Sequence, residues 1–287
     1  MSTYKIITDS CCDLSVDKLN ELDVNSVSLT LMFRGAPRPD AVTDEIKEIY
    51  NAMRAGENAT TSAANPDDWT KTIEPVLAAG QDALVIAFSS GLSTTYQSAV
   101  IAANDLMEKY PNRKVNVVDS LCASLGQGLL VWYACDKRDE GMDLDSLTAW
   151  LEENKQRVCQ WFTVNDLNFL KRGGRISAAT ALVGTMLKIK PVLHVDEAGK
   201  LISVSKVRGR KASIDALADK MAQLQLVGKN DRITICHGDC LEDAQYLAQQ
   251  VKDKLGVKEA YIGYTGAVIG SHSGPGTLAL FFLGKER

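Results

Sequence analysis

The sequence predicts an α/β protein made of two α/β domains, and three observations carry that reading. In the first half, short apolar strand patterns alternate with amphipathic helix patterns, as in a parallel sheet covered by helices. In the second half strand patterns crowd together, which predicts hairpins and so a mixed or antiparallel sheet. The 287 residues are 45% hydrophobic and 24% charged, enough for one large core or two ordinary ones. The change of character sets the boundary near residue 160, giving domains 1–160 and 161–287. No linker rich in Gly, Ser or Pro marks it, so the halves are expected to pack closely.

The elements follow in order. Lys5–Thr8 is a short apolar strand and Val24–Phe33 a longer one. Thr43-Asp44-Glu45 begins a helix with Ile46, Ile49, Tyr50 and Met53 on one face, stopped near Gly56. Asn65-Pro66-Asp67-Asp68 supplies an N-cap, an N1 proline and first-turn acids for the next helix. Strand Asp82–Phe88 leads to a helix from Thr94 with Tyr96, Val100, Ala103 and Met107 at helical spacing, broken at Pro111. Val115–Val118 is again strand, and Asp143–Val158 an acidic helix. Strands at Trp161–Val164, Ile189–Val195 and Lys200–Val207 follow, then a helix at Ala212–Leu226. Strand Arg232–Cys236, helix Glu242–Leu255 and strand Ala260–Tyr264 complete the series.

Composition excludes several roles. A net charge of −4 gives no electrostatic support for nucleic-acid binding. Apolar runs such as Ala83–Phe88 and Leu278–Leu283 fall far short of the roughly 20 residues that span a bilayer. The first residues lack a signal peptide's apolar stretch, and seven scattered cysteines suit a reducing compartment, so a cytoplasmic location is expected. Cys236-His237-Gly238-Asp239-Cys240 has no second ligand pair at zinc-finger spacing and reads as buried or loop thiols, with no metal expected. There is no Gly-x-x-x-x-Gly-Lys-Ser/Thr loop, no kinase signature and no Gly-x-Ser-x-Gly elbow around Ser93, so neither an ATP site nor a hydrolase is furnished.

Binding chemistry concentrates in strand-to-helix turns. Ser89-Ser90-Gly91-Leu92-Ser93-Thr94-Thr95 combines glycine, hydroxyls and a helix start, a receptacle for a small anion such as a carboxylate or phosphate. Thr60-Thr61-Ser62 reads either as a cap for its own helix or as a second contact at the same sheet. Asp119–Gly128 is a third such turn, whose small residues allow a ligand or helix to approach. In Gly270–Thr277, His272 is either structural or an outward-reaching donor. Lys171-Arg172-Gly173-Gly174-Arg175 and Lys206-Val207-Arg208-Gly209-Arg210-Lys211 read as a solvated face or as a surface for phosphate or an acidic partner. Flanking glycines are expected to leave the Arg175, Arg208 and Arg210 guanidiniums exposed.

Taken in order, these segments resemble the DegV family: Thr8-Asp9-Ser10, Thr61-Ser62, the Ser89–Ala99 turn and Val118–Gly128, then Leu170–Ile176, Lys206–Lys211 and Gly270–Gly276. The resemblance implies a two-domain DegV-like fold that binds one long-chain fatty acid between domains. It implies that Thr61, Ser93 and His272 hold the carboxylate, with Ser62, Gly91, Thr94 and Ser273 supporting their turns. Some members present the acid to a separate ATP-dependent fatty acid kinase, which makes acyl phosphate for phospholipid synthesis. Arg175, Arg208 and Arg210 would then serve the phosphate or the partner, with no catalytic residue and no cofactor in this chain. Where the family commonly has glutamine and proline after Thr-Ser, this chain has Ala63-Ala64, and Leu121 replaces an often charged residue. Two alternatives stand beside this: a fatty-acid carrier without a kinase, and a hydrolase or acyltransferase using Ser93 with His272 as base.

Overall fold

The computed structural model describes residues 4–40, 45–177 and 188–287. The chain opens with β1 (Tyr4–Asp9), a 3-10 turn at Ser10–Cys12, α1 (Val16–Glu21), β2 (Val24–Val27), β3 (Thr30–Phe33) and β4 (Ala36–Pro39). Next come α2 (Ile46–Arg54), β5 (Thr60–Ser62), α3 (Pro66–Ala78), β6 (Asp82–Ala87), α4 (Thr95–Lys109), β7 (Val115–Asp119), α5 (Leu125–Asp139) and α6 (Leu144–Asn154). After β8 (Val158–Thr163) and α7 (Leu167–Arg172) follow β9 (Ile189–Val195), β10 (Leu201–Arg208) and α8 (Arg210–Leu224). The last elements are β11 (Arg232–His237), α9 (Leu241–Leu255), β12 (Glu259–Tyr264), α10 (Ala267–Ser273) and β13 (Leu278–Leu283).

Strands β2-β1-β6-β7 form the expected parallel sheet, all from the first half of the chain. The second half forms a mixed six-stranded sheet, β10-β9-β8-β13-β11-β12, in which β11 and β12 run parallel and the other neighbours antiparallel. A small antiparallel sheet, β4-β3-β5, stands beside them.

Some elements differ from expectation for identifiable reasons. Val24–Phe33 is two strands in two sheets. At Ser28 the hydroxyl donates to the carbonyls of Leu29 and Asp40 (2.9 and 3.1 Å), turning the chain out of the parallel sheet. Thr60–Ser62 joins that small sheet rather than the parallel one. The acidic helix is shorter: Asp143 is its N-cap, it ends at Asn154, and Val158 is already a buried strand residue. Helix α4 buries Ala99, Ala102, Ala103 and Leu106, a face rotated from the Tyr96–Met107 stripe toward small residues that pack closely. Gly270–Ser273 is the end of α10, and the turn proper is Gly274-Pro275-Gly276 with both glycines at positive φ. The expected helix start at Thr43-Asp44 lies outside the described residues.

Helix α5 has no amphipathic stripe because Leu125 through Trp132 are buried all round. It lies between the two large sheets. Thr234 of β11 donates to the Leu125 carbonyl at 2.9 Å, and Gln127 donates to Thr8 Oγ1 at 3.0 Å and to Asp9 Oδ2 at 3.2 Å. Parity then divides the six-stranded sheet. Leu278, Leu280, Phe282, Trp161 and Ile235 pack under α8 and α9, while Ala279, Phe281, Phe162 and Cys236 face α5.

Two glycines allow this contact. A Cβ at Gly126 would lie 2.7 Å from Gln160 Oε1, and one at Gly128 would lie 2.6 Å from the Cys12 carbonyl oxygen. In an exposed helix Gly→Ala stabilises by about 1 kcal/mol. Here Gly128→Ala should destabilise by about 1–3 kcal/mol, since the obstacle is backbone. Urea unfolding of the two proteins reads the sign directly.

Candidate functional site

The C-terminal ends of β6 and β7 feed the Ser89–Thr95 and Asp119–Ser124 turns, the usual place for a ligand in an α/β sheet. Between those turns, the inner face of the six-stranded sheet and α10 lies a cavity of about 500 Å3, within the range of small-molecule sites. Its wall is mostly apolar, with Phe88, Phe162, Leu170, Val195, Leu201 and Phe281 among the lining side chains.

Thr61, Ser93, Thr94, Arg175, His272 and Ser273 are polar members of the same wall. On β5 alternation turns Thr61 and, just beyond, Ala63 inward, so Ser62 points out and is exposed. His272 sits on the last turn of α10, whose seating is specified in detail. Asp40 accepts from the Val268 N–H at 3.0 Å and from Ser10 Oγ at 2.9 Å. Tyr50 OH donates to the Thr265 carbonyl at 2.8 Å, and a Cβ at Gly270 would lie 2.4 Å from that hydroxyl oxygen.

His272 Nε2 meets Thr61 Oγ1 at 2.7 Å. The ring's other edge lies on Gly173, where a Cβ would come within 2.1 Å of Nδ1. Burial, and secondly the Arg175 guanidinium, push the imidazole pKa down to about 4. At neutral pH the ring is therefore uncharged and donates one N–H.

Arg175 corrects an expectation. It is half-buried in the cavity wall, not exposed, and burial lowers its pKa. Its guanidinium donates to the Leu92 carbonyl from Nε (3.2 Å) and Nη2 (2.9 Å), and to Gly173 from Nη1. Arg210 is also held, by Asp243 at 2.8 Å, so only Arg208, on edge strand β10, matches the exposed reading. Thr61, Arg175 and His272 also line a second cavity of about 320 Å3 containing Asn58, Thr60, Arg172 and Ser271. The three thus stand between the apolar cavity and an outer one.

Part of the Ser89 turn is closed on itself: the N–H groups of four residues are used internally, Ser90 on Asp119 Oδ1 (3.1 Å), Gly91 on Ser89 Oγ (3.1 Å), Leu92 and Ser93 on the Ser89 carbonyl (3.0 and 3.1 Å). What remains for the cavity is its hydroxyls and the start of α4, whose N-cap Thr94 makes no side-chain cap bond. Gly91 faces away from the cavity, onto the β9–β10 hairpin, where a Cβ would lie 2.5 Å from the Ala198 carbonyl oxygen. Ser93 Oγ pairs with Thr95 Oγ1 at 2.8 Å, so His272 is not paired with Ser93. Ser273 Oγ is buried without a hydrogen-bond partner.

Sequence reasoning missed Gln160, which is in the wall; Ser124, also in the wall, belongs to the Asp119–Gly128 turn already noted for ligand approach. Gln160, polar within the apolar strand Val158–Thr163, was a readable signal; it accepts from the Ala123 N–H at 2.9 Å and fixes that turn. Among the described residues, no group of His, Cys, Asp and Glu could hold a metal, and no helix is long and apolar enough to cross a membrane.

An α/β fold with an apolar cavity closed by hydroxyls, an imidazole and a guanidinium defines a class, and comparison with known proteins gives its family. The model for "Uncharacterised protein, DegV family COG1307" matches residues 3–285; the chain belongs to the DegV family. A DegV domain-containing protein of Clostridium perfringens is 42% identical over 290 residues, covering 100% of this chain and 99% of the relative. A DegV lipid-binding protein of Thermotoga maritima superposes with TM-score 0.88 at 30% identity, covering both chains fully. A fatty-acid-binding DegV family protein of Thermus thermophilus gives TM-score 0.87 at 33% identity, covering 98% of this chain and 99% of that one. The fold is shared too with the B3 protein of Streptococcus pneumoniae fatty acid kinase, loaded with linoleic acid: TM-score 0.85, 23% identity, 99% of each chain.

Two outcomes follow. His272 is neutral in the folded chain and titrates near 6.5 when unfolded, so its contribution is complete above pH 6.5 and lost as pH falls toward 4. Buried Asp9, raised to about 7 by desolvation, has the opposite slope between its unfolded value and 7. His272→Gln should therefore lose less stability than wild type between pH 7 and 4.5, by up to about 3 kcal/mol, in urea unfolding of ligand-free protein. Gly173→Ala should displace the imidazole and weaken ligand binding by about tenfold or more, while far-ultraviolet circular dichroism stays unchanged.

Proposed function

We propose that this protein binds one long-chain fatty acid in the cavity, tail inward, with its carboxylate at Thr61, Ser93 and His272. It then presents the acid to a separate ATP-dependent kinase that makes acyl phosphate. The observation that carries the reading is the apolar cavity of about 500 Å3 with Thr61, His272 and Arg175 at the border of an outer one. A tail of about 16 carbons supplies on the order of 10 kcal/mol by burial before ordering costs. A carboxylate there gains donors from the Ser93 hydroxyl and from the hydrogen-bonded Thr61–His272 pair, which has one proton left to give, and the nearby Arg175 charge offsets desolvation. The outer cavity gives a phosphoryl donor an approach to that end.

On this reading residues 1–160 and 161–287 are two domains with the cleft between them, and the chain works in the cytoplasm, where its free cysteines stay reduced. It contains no catalytic residue and needs no cofactor of its own. The hydrolase alternative is disfavoured by chemistry: an imidazole with pKa about 4, hydrogen-bonded to Thr61 instead of Ser93, is a weak base for Ser93.

Solvent extraction of purified protein and mass spectrometry should release close to one equivalent of long-chain acid. Ser93→Ala should weaken acyl binding by about 10- to 150-fold, the loss of one hydrogen bond to a charged group. Arg175→Ala should weaken it as well, whereas Arg208→Ala should hold the acid normally and slow acyl phosphate formation by the cognate kinase. Ester hydrolysis by wild type that disappears in Ser93→Ala would overturn the assignment.

A further inference from the structure

Two positive charges beside the polar end of the cavity have no carboxylate partner among the described residues, and a bound carboxylate needs only one of them. The outer cavity of about 320 Å3 shares Met53, Asn58, Phe169 and Arg172 with a further one of about 450 Å3. Among the described residues, the arginines lining the two are Arg54, Arg172 and Arg175. Arg54 is held by Asp239, by its carboxylate and, at 2.9 Å, by its carbonyl. The acids are occupied too. Glu57 accepts from Arg34 Nε and Nη2, both at 2.8 Å, and Asp166 accepts from the Asn168 N–H at 2.9 Å. Arg175 lines the apolar cavity and the smaller outer one, whereas Arg172 lines the two outer ones.

Arg172 ends α7 and is exposed, and the next residue, Gly173, lies against the His272 ring. Its Nη1 donates to Asn58 Oδ1 at 2.7 Å, and its guanidinium carbon lies 4.5 Å from the Phe169 ring centre. An amide and a ring hold the group in place without neutralising it. Among the described residues, Nε and Nη2 make no hydrogen bond, so one side of the planar fork stays open for an anion with two oxygens to offer. On the kinase reading a carboxylate oxygen attacks the terminal phosphorus of ATP. The bond from that phosphorus to the bridging oxygen breaks, and ADP leaves with the electron pair. The single charge of the carboxylate becomes about two on the new phosphoryl group. One guanidinium matches the acid; two match the acyl phosphate. We propose that Arg172 binds the phosphoryl group of the product, which then stands in the outer cavity between Arg172 and Arg175. This rests on the fatty acid kinase reading and names a product contact.

The test compares two ligands on delipidated full-length protein by titration calorimetry. One is palmitate. The other is 2-oxoheptadecylphosphonate, a stable analogue of its acyl phosphate in which a methylene replaces the bridging oxygen. Arg172→Gln should weaken the phosphonate about tenfold and leave palmitate within about twofold of wild type. Lys171 is an exposed cation that lines none of these cavities, and Lys171→Gln should change neither affinity. Added salt should reduce the loss caused by Arg172→Gln, because the contact is partly exposed. The proposal is overturned, with the fatty-acid reading left standing, by any of three results: equal losses for both ligands, no loss for the phosphonate, or the same loss in Lys171→Gln. Wild-type protein that holds palmitate and rejects the phosphonate overturns it as well. Failure of palmitate to bind wild-type protein overturns both readings.

Discussion

The structure depends on the approach of two sheets to one helix. The first two turns of helix α5, Leu125 through Trp132, are buried on every side, and such a segment is stable only when covered on every side. The parallel sheet covers one flank and the six-stranded sheet another; Gly126 lets Gln160 and Phe281 of the latter approach, and Gly128 admits Cys12 and Leu14 from the turn that follows β1. Everything at the ligand cavity follows from that seating. The start of α5 puts Ser124 in the wall, the sheet behind it turns Phe162 and Phe281 inward, and the Asp119–Ser124 turn is pinned by Gln160.

Electrostatics at the other end of the cavity follow a different logic. A histidine beside an arginine inside a protein cannot easily carry charge, so the pair holds one positive charge instead of two. This end of the wall therefore presents one guanidinium, one uncharged imidazole and hydroxyls. In the proposed function that single positive charge offsets the charge of a buried carboxylate, the condition for burying it without a large penalty. Asp40 and Gly173 set this arrangement from outside the cavity wall: one caps the helix that carries the imidazole and the other gives the ring room.

Much of this was legible in the chain. Asn65-Pro66 announced α3, and the hydroxyl turns at Thr61, Ser93 and His272 lie on one cavity wall. What was hidden depended on partners distant in sequence. Helix α5 shows no period over Leu125 to Trp132 because both sides are buried there, and amphipathic spacing cannot mark a stretch with no wet face. The interruption at Ser28 depends on Asp40, 12 residues away. Arg175 looked like a surface residue because glycines flank it; its burial comes from the Leu92 carbonyl, 83 residues distant. The Ser89 turn was legible in position, but not the internal use of its Ser90 to Ser93 amides, which depends on Ser89 and on Asp119, 29 residues from Ser90.

Strand β13 shows how such a container can change over generations. Alternate residues of this one strand serve two masters: Ala279 and Phe281 shape the inside of the vessel, while Leu278, Leu280 and Phe282 fasten its outer helices. Inserting or deleting a residue here would exchange the two sets and turn the vessel inside out. Replacing one residue does no such thing. Exchanging Ala279 for a larger or smaller neighbour alters the capacity of the vessel and leaves its fastening intact. A substitution at Ala279 or Phe281 is therefore felt inside the cavity alone, whereas a change in the length of the strand is felt on both of its faces at once.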